Sequence, residues 1–171
     1  MKMIAPEMVP LAIGSRAPEF IVPNERDEGF SLSETVRFGP VLLIFYPADW
    51  GFICRNEIVE FRDRQPAFEK MGVRLVGLST NMIISHAVWS DHLKLRFPLL
   101  SDPPGDVAAV FGVLDLAEES FNKGRTKRAL FLVDQELKVL YCCAPRTIGL
   151  NRITTGSRPP ADRRSHPFRP R

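Results

Sequence analysis

Short apolar runs alternate with segments of helical periodicity through most of the chain. Residues 41–46, VLLIFY, form a continuous apolar run between two prolines, and this pattern predicts a strand buried on both faces. From Cys54 to residue 71, apolar residues recur at helical spacing with charged residues between them. Pro66 is expected to kink this helix or divide it in two, because proline interrupts the helical hydrogen bonds.

The alternation continues toward the C-terminus and ends in a hairpin. The predicted elements are a strand at 73–79, a helix over 85–93, a short strand at 97–102, a helix at 106–112 and antiparallel strands at 128–134 and 138–143. This order predicts an α/β fold with a central mixed sheet flanked by helices.

Three parts of the chain are distinguished by composition. Residues 1–11 are interpreted as an N-terminal extension, residues 12–152 as a single α/β domain, and residues 153–171 as a basic tail. The tail is rich in proline and arginine and has no apolar periodicity, so it is predicted to be disordered.

The net charge of +3 is unevenly distributed. From Pro145 onward the chain has seven arginines and one aspartate, a balance of +6, so the remainder carries −3. Such a tail can attract nucleic acid only by loose electrostatics, since Phe168 is its sole aromatic residue. Nucleic-acid binding is therefore not expected.

Cysteine and histidine usage excludes several classes of protein. Three cysteines, an odd number, argue against a disulfide scaffold and fit a reducing compartment, so a cytoplasmic location is expected. No apolar run approaches the length of a membrane span, and no membrane association is expected. His86 and His92 fall on different helix faces, and no cysteine pair has zinc-ligand spacing. We expect no metal and no cofactor, and we interpret His86 as structural.

Cys54 follows a predicted strand and lies at the head of a predicted helix. The helix dipole and the unpaired amides of a first turn favour an anion there, and thiols in such positions have pKa values lowered to roughly 3.5–7.5. The alternative is that Cys54 packs in the core, as cysteines often do. Position alone leaves both readings open.

The surrounding residues resemble the peroxiredoxin signature. In YPADWGFICRNE (residues 46–57), Pro47 and Cys54 have the spacing of the family's proline and peroxidatic cysteine, and Asp49 and Glu57 match as well. Further segments resemble the family in the correct order: 13–20, 79–93 (with Ser79, His86 and Trp89), 97–113 and 127–141. The resemblance, to the alkyl hydroperoxide reductase and thiol-specific antioxidant family, covers roughly residues 12–145.

This resemblance implies a thioredoxin-like fold and a thiol peroxidase. Cys54 would reduce hydrogen peroxide or organic hydroperoxides through a thiolate and a sulfenic acid, and Arg128 would supply the catalytic cation. Pro47 would shield the thiolate, and Glu57 would either orient Arg128 or favour the helix N-terminus. The implied partners are a peroxide, an external thioredoxin- or glutaredoxin-like thiol reductant and further copies of the chain, as a homodimer or higher homo-oligomer.

Several positions depart from the family pattern. Gly51 occupies the place of the family's threonine or serine, which removes a hydroxyl from the site, and Arg55 stands where many members have proline. Leu150, after Gly149, replaces a second arginine, for which Arg146 or Arg152 are alternatives. The family's C-terminal helix is missing or replaced in this sequence. These departures support an alternative, a catalytically weakened module for redox sensing or protein interaction.

Cys142 and Cys143 end the last predicted strand on opposite faces. One interpretation is that they fill a sheet buried on both sides. The other is that one of them acts as a resolving thiol after local unfolding, since this end of the strand is expected at the same pole of the sheet as Cys54. We favour the first, and hence a one-cysteine mechanism.

Overall fold

A computed structural model describes residues 8–144 of the chain. In chain order its strands are β1 (Ile21–Pro23), β2 (Gly29–Ser31), β3 (Val41–Phe45), β4 (Arg74–Ser79), β5 (Leu99–Ser101), β6 (Ala129–Val133) and β7 (Val139–Cys143). The helices are α1 (Leu32–Thr35), which continues into a 3₁₀ turn (Val36–Phe38), α2 (Phe52–Lys70), α3 (Ile83–Leu93) and α4 (Asp106–Val110).

Strands β3 to β7 form one mixed sheet in the order β5-β4-β3-β6-β7. Strands β3, β4 and β5 run parallel, whereas β6 is antiparallel to β3 and β7 is antiparallel to β6. Strand β3 is central and buried along its whole length, as its apolar run predicts. The predicted mixed sheet and the closing hairpin are confirmed.

Two apolar layers cover the sheet, and the alternation of side chains along β3 assigns residues to each. Leu42 and Ile44 face α2 and α3, in a cluster that includes Cys54. Leu43 and Phe45 face the opposite layer, which is built from α1, α4 and the N-terminal segment. Cys54 therefore belongs to the α2–α3 side of the sheet.

Helix α2 differs from its prediction in two respects. It begins at Phe52, two residues before the expected start, and it continues without division through Pro66 to Lys70. Pro66 is exposed, so solvent is available to the Arg62 carbonyl that loses its helical amide partner. Of the two effects expected of Pro66, a kink or a division, the division is wrong because α2 is one continuous helix.

The sequence pattern did not predict the β1–β2 hairpin, whose strands have three residues each. Such strands are too short to display an alternating pattern. The predicted tail at 153–171 and the region of the missing C-terminal helix lie outside the described residues. Within residues 8–144, no helix combines the length and apolarity required to cross a bilayer.

The aromatic side chains packed in the layer built from α1 and α4 lead to a prediction about stability. Phe131 is fully buried and packs its ring 5.7 Å from Phe45 and 5.2 Å from Phe111. We expect Phe131→Ala to lower the free energy of unfolding by about 3–5 kcal/mol, because it removes buried area and leaves a cavity. Urea unfolding monitored by circular dichroism measures this change.

Phe121, which is 95% exposed, provides the matched control. Phe121→Ala should change the free energy of unfolding by no more than about 0.5 kcal/mol. Equal effects of the two substitutions would contradict this assignment of the core.

Candidate active site

Cys54 lies in the first turn of α2, just after the loop that leaves β3. Gly51 is the N-cap residue, and the first helical hydrogen bond runs from the Arg55 amide to the Gly51 carbonyl at 2.8 Å. The amides of the three residues between them have no acceptor within the helix. Cys54 is a free cysteine and only 3% exposed. The sulfur thus lies where the helix terminus favours negative charge.

Arg128 supplies a positive charge to this sulfur from a different part of the chain. Phe45, the last residue of β3, lies opposite Ala129, the first residue of β6. Arg128, one residue before β6, therefore lies beside the backbone that leaves β3. Its Nη2 donates to Cys54 Sγ at 3.2 Å, and its Nη1 donates to Glu57 Oε2 at 2.7 Å. Arg128 therefore contacts Cys54 with one nitrogen of its guanidinium and Glu57 with another.

The Arg128 guanidinium is held firmly in its charged form. Burial lowers the pKa of Arg128, but its hydrogen bonds and charge interactions with Cys54 and Glu57 outweigh burial and raise that pKa above its ordinary value. The side chains of Arg128 and Glu57 are 34% and 28% exposed, so solvent screens their ion pair in part. One edge of the guanidinium is fixed by the carboxylate, and the other is directed at the sulfur.

Thr126 joins the approach to β6 to the end of β3. This fully buried residue donates its hydroxyl hydrogen to the Tyr46 carbonyl, and the Tyr46 amide donates to the Leu78 carbonyl at 3.2 Å. These contacts hold the backbone next to Pro47 between two neighbouring strands. Sequence reasoning missed Thr126, although its position two residues before Arg128 was an available signal.

The loop between β3 and α2 contains one strained residue. Trp50 has φ of +65°, in the left-handed region that is unfavourable for residues other than glycine. Its half-exposed ring lies 6.4 Å from Trp89 and 5.8 Å from His92, measured between ring centroids. The Trp50 ring thus packs against α3, and Pro47 is buried at the start of the same loop.

Gly51 lies directly beside the Cys54 sulfur. A Cβ atom at Gly51 would lie 3.3 Å from Cys54 Sγ, so a side chain there would contact the thiol directly. As N-cap, Gly51 makes no side-chain hydrogen bond to the first turn. Gly51 therefore offers the sulfur no side-chain hydrogen bond at this position.

The Asp49 side chain holds the loop between β3 and α2 against α3. Its Oδ1 accepts a hydrogen bond from the Tyr46 hydroxyl at 2.9 Å, and its Oδ2 accepts one from the Ser85 hydroxyl at 2.7 Å. His86 Nδ1 lies 2.9 Å from Asp49 Oδ2, and both side chains are fully buried. Sequence reasoning did not foresee that Tyr46, Asp49 and His86 form one cluster.

The two C-terminal cysteines lie on opposite faces of β7, as alternation predicts. Cys142 is opposite Phe131 in the register and packs on the α1–α4 side. Cys143 is opposite Leu130, which packs against the cluster containing Cys54, so Cys143 is on the Cys54 side of the sheet.

The expectation that both cysteines fill a sheet buried on both sides is wrong for Cys143. That residue is exposed and Cys142 is half-buried, because β7 is the outermost of the described strands. Burial and the neighbouring Cys143 thiol raise the pKa of Tyr141, which stands on the same face. Cys143 is therefore an accessible thiol at the pole of the sheet that carries Cys54.

Other positions singled out in the sequence lie apart from the sulfur or outside the described region. Arg55 is exposed, beside the exposed Phe52 and Ile53. The segment from Arg146 to Arg152, with Gly149 and Leu150, falls outside residues 8–144. Within the described residues, no three histidine, cysteine or acidic side chains gather in a metal-binding arrangement.

Comparisons with known proteins agree on one family. The model of the AhpC/TSA family matches residues 13–142. The chain is 33% identical over 134 residues to a chloroplastic 2-Cys peroxiredoxin BAS1 of Hordeum vulgare, an alignment that covers 72% of this chain and 61% of the relative. It is 33% identical over 132 residues to a peroxiredoxin of Thermoplasma volcanium, covering 74% and 62%. The chain thus spans less than two thirds of the length of these curated relatives.

Solved structures show the same architecture. Peroxidoxin BcpB from Mycobacterium tuberculosis superposes with a TM-score of 0.72 at 33% identity, covering 77% of this chain and 84% of that one. A PrxQ mutant from Xylella fastidiosa gives a TM-score of 0.72 at 21% identity, covering 78% and 86%, and supports the fold alone. The thioredoxin-like fold is confirmed.

The contact between Arg128 and the sulfur generates a second prediction. Replacement of Arg128 by Met should slow alkylation of Cys54 by iodoacetamide at neutral pH by about 10- to 100-fold. This range corresponds to the roughly 1.5–3 kcal/mol of a hydrogen bond to a charged group. Mass spectrometry of a Cys142→Ser/Cys143→Ser background, in which Cys54 is the sole thiol, follows the reaction.

Arg125→Met is the matched control, because Arg125 is exposed on the same approach to β6. It should leave the alkylation rate within about twofold of the background protein, since exposed charges contribute little. Equal rates in all three proteins would show that the guanidinium does not act on the sulfur.

Proposed function

Because this chain belongs to the AhpC/TSA family of peroxiredoxins, we propose that it is a thiol peroxidase with Cys54 as its peroxidatic residue. One observation carries the proposal: the 3.2 Å contact between Arg128 Nη2 and Cys54 Sγ at a helix N-terminus. The thiolate is the nucleophilic form of cysteine, and a cation and a helix N-terminus both interact favourably with negative charge.

The proposed reaction is a two-electron transfer. The Cys54 thiolate attacks one peroxide oxygen, so that an S–O bond forms while the O–O bond breaks. The leaving hydroxide or alkoxide takes up a proton and departs as water or alcohol, and the sulfur becomes a sulfenic acid. Arg128 stabilises the thiolate and the developing negative charge on the leaving oxygen, while Glu57 fixes the guanidinium in place.

Pro47 and Gly51 are assigned supporting roles in this proposal. Pro47, buried at the start of the loop, limits the access of water to the sulfur. Gly51 contributes no hydroxyl, and the loss of one preorganised polar contact in a transition state costs about 2.7–4 kcal/mol, or ~10²–10³ in rate. This observation favours a second candidate, a weakened peroxiredoxin-like module that serves redox sensing or protein interaction.

We assign reduction of the sulfenic acid to an external thiol, which attacks the sulfur, releases water and forms a mixed disulfide. A thioredoxin- or glutaredoxin-like protein fits this role. Strand β7, which carries Cys143, is separated by β6 from β3, the strand that leads to Cys54, so these two strands are roughly 10 Å apart. This spacing supports a one-cysteine mechanism, with Cys143 as the alternative resolving thiol.

We also propose a homodimer or higher homo-oligomer. Large apolar side chains are exposed on the loop, the start of α2 and the adjoining face of α3; they are Trp50, Phe52, Ile53, Ile84 and Val88. Apolar surface of this extent on neighbouring elements is typical of an interface between proteins. A cytoplasmic location stays a prediction from cysteine usage.

The peroxidase proposal is tested by rapid kinetics. Oxidation of Cys54 by stoichiometric hydrogen peroxide should proceed roughly 10²-fold or more faster than oxidation of a free thiolate, because the cation and helix terminus stabilise the transition state. Stopped-flow tryptophan fluorescence can report it, since Trp50 lies four residues from Cys54. Cys54→Ser should abolish the signal and Cys142→Ser should retain it. A rate no faster than that of a free thiolate would instead support the weakened module.

The one-cysteine proposal is tested by intact mass after one equivalent of peroxide. We expect a sulfenic acid on Cys54 that dimedone traps, and no loss of two hydrogens. Cys142→Ser and Cys143→Ser should both behave as the wild type. An intramolecular disulfide that disappears in Cys143→Ser but persists in Cys142→Ser would overturn the proposal and identify the resolving thiol.

A further inference from the structure

Beneath the loop that leads into α2, three polar side chains are removed from solvent. Asp49 and His86 have side chains that are 0% exposed, and Tyr46 is fully buried beside them. Burying a charged or polar group is unfavourable unless its partners are complete, so such a cluster indicates a specific requirement. None of these groups takes part in the peroxide chemistry described above.

We propose that Asp49 and His86 form a buried carboxylate–imidazolium pair that positions the loop and thereby Cys54. The structural part of this inference stands on the contacts alone. Its catalytic consequence rests on the proposed function. Both residues are positioning residues, because they act on Cys54 through the loop.

Each ring nitrogen of His86 faces at least one hydrogen-bond acceptor, an arrangement that favours hydrogen on both nitrogens. Nε2 lies 3.1 Å from the Leu100 carbonyl oxygen, which can only accept. Ser79 Oγ, 3.4 Å from Nε2, already donates to Asn81 Oδ1 at 3.1 Å and so cannot donate to the ring. Nε2 must therefore carry a hydrogen.

The other nitrogen also faces an acceptor. His86 Nδ1 lies 2.9 Å from Asp49 Oδ2, 3.1 Å from Oδ1 and 3.3 Å from the Tyr46 hydroxyl oxygen. The Tyr46 hydroxyl donates its one hydrogen to Asp49 Oδ1 at 2.9 Å, so its oxygen also faces Nδ1 as an acceptor. A neutral ring with its hydrogen on Nε2 would direct the Nδ1 lone pair at a carboxylate. A hydrogen on Nδ1 removes this repulsion and makes the ring an imidazolium, whose charge balances that of Asp49.

The remaining neighbours complete the carboxylate's hydrogen bonds. Tyr46 donates to Oδ1 and Ser85 to Oδ2. Burial and the charge of Asp49 raise the pKa of Tyr46 well above its ordinary value, so its hydroxyl stays a donor. Among the described contacts, Tyr46 is the titratable group that faces the pair, and Cys54 in turn interacts electrostatically with Tyr46. Strand β4 contributes the Ser79 hydroxyl and β5 the Leu100 carbonyl.

The pair connects the loop to α3 and to the segment between β4 and α3, immediately before the helix that carries Cys54. Asp49 is held there twice, through its side chain and through its amide, which donates to Asn81 Oδ1 at 3.0 Å. The next residue, Trp50, has the strained positive φ, and Gly51 then caps α2. A strained conformation persists only where its surroundings determine it, and Asp49 provides that constraint immediately before the helix of Cys54.

Nuclear magnetic resonance of ¹⁵N-histidine-labelled protein tests the pair without reference to activity. At pH 7–8 both ring nitrogens of His86 should give the resonances of a doubly protonated imidazole. In Asp49→Asn the charge that favours the second hydrogen is gone, so His86 should become a neutral tautomer. A singly protonated His86 in the wild type would overturn the proposal.

Oxidation of Cys54 by peroxide and its alkylation by iodoacetamide measure the consequence at the sulfur. We expect Asp49→Asn to slow oxidation of Cys54 at least 10-fold and to slow its alkylation measurably. Ser85→Ala removes one hydrogen bond to Asp49 and should slow oxidation two- to fivefold. Should Asp49→Asn fail to fold, Ser85→Ala and the histidine spectrum still decide the question.

The matched control is Asp91→Asn, because Asp91 lies on α3, as Ser85 and His86 do, but is exposed. This substitution breaks the 3.0 Å ion pair with Lys94 and should leave every readout unchanged. A folded Asp49→Asn that oxidises at the wild-type rate would refute positioning by the pair. If wild-type Cys54 reacts no faster than a free thiolate, the proposed function fails, while the histidine spectrum and the alkylation rates still report on the pair.

Discussion

A guanidinium held between a carboxylate and a sulfur is the interaction around which this fold is arranged. Arg128 reaches Cys54 only because β6 runs antiparallel to β3 with Ala129 opposite Phe45. A shift of one residue in that register would direct Arg128 to the other face of the sheet. The uninterrupted apolar run of β3 and its complete burial resist such a shift, so core packing determines the electrostatics of the site.

The loop between β3 and α2 is held from both sides, and the two sides have different chemistry. From the segment just before β6, the Thr126 hydroxyl contacts the Tyr46 carbonyl. From α3, His86 and Ser85 contact the Asp49 carboxylate. Hydrogen bonds to buried charged groups are directional and strong in a low dielectric. They can impose a conformation that apolar packing would leave undefined, which fits a loop with a strained residue in its middle.

The sequence predicted the parts of the fold that depend on long regular patterns. The buried strand β3 and the closing hairpin follow from apolar runs, whereas Arg128 was identified by the resemblance to the family. The pattern could not show that Cys143 is exposed, because alternation assigns a face but not a place in the strand order. The contacts of Thr126 and His86 were missed for another reason: side-chain hydrogen bonds between residues 37 to 80 positions apart leave no periodic trace.

The sequence separation within the site has a consequence for biosynthesis. Cys54 and Arg128 are 74 residues apart, and their contact requires β6 to be inserted beside β3. Non-local pairings form late, after the intervening chain has been made and collapsed. Until β6 has been synthesised and paired with β3, the nascent polypeptide on the ribosome therefore carries Cys54 without the Arg128 guanidinium beside it.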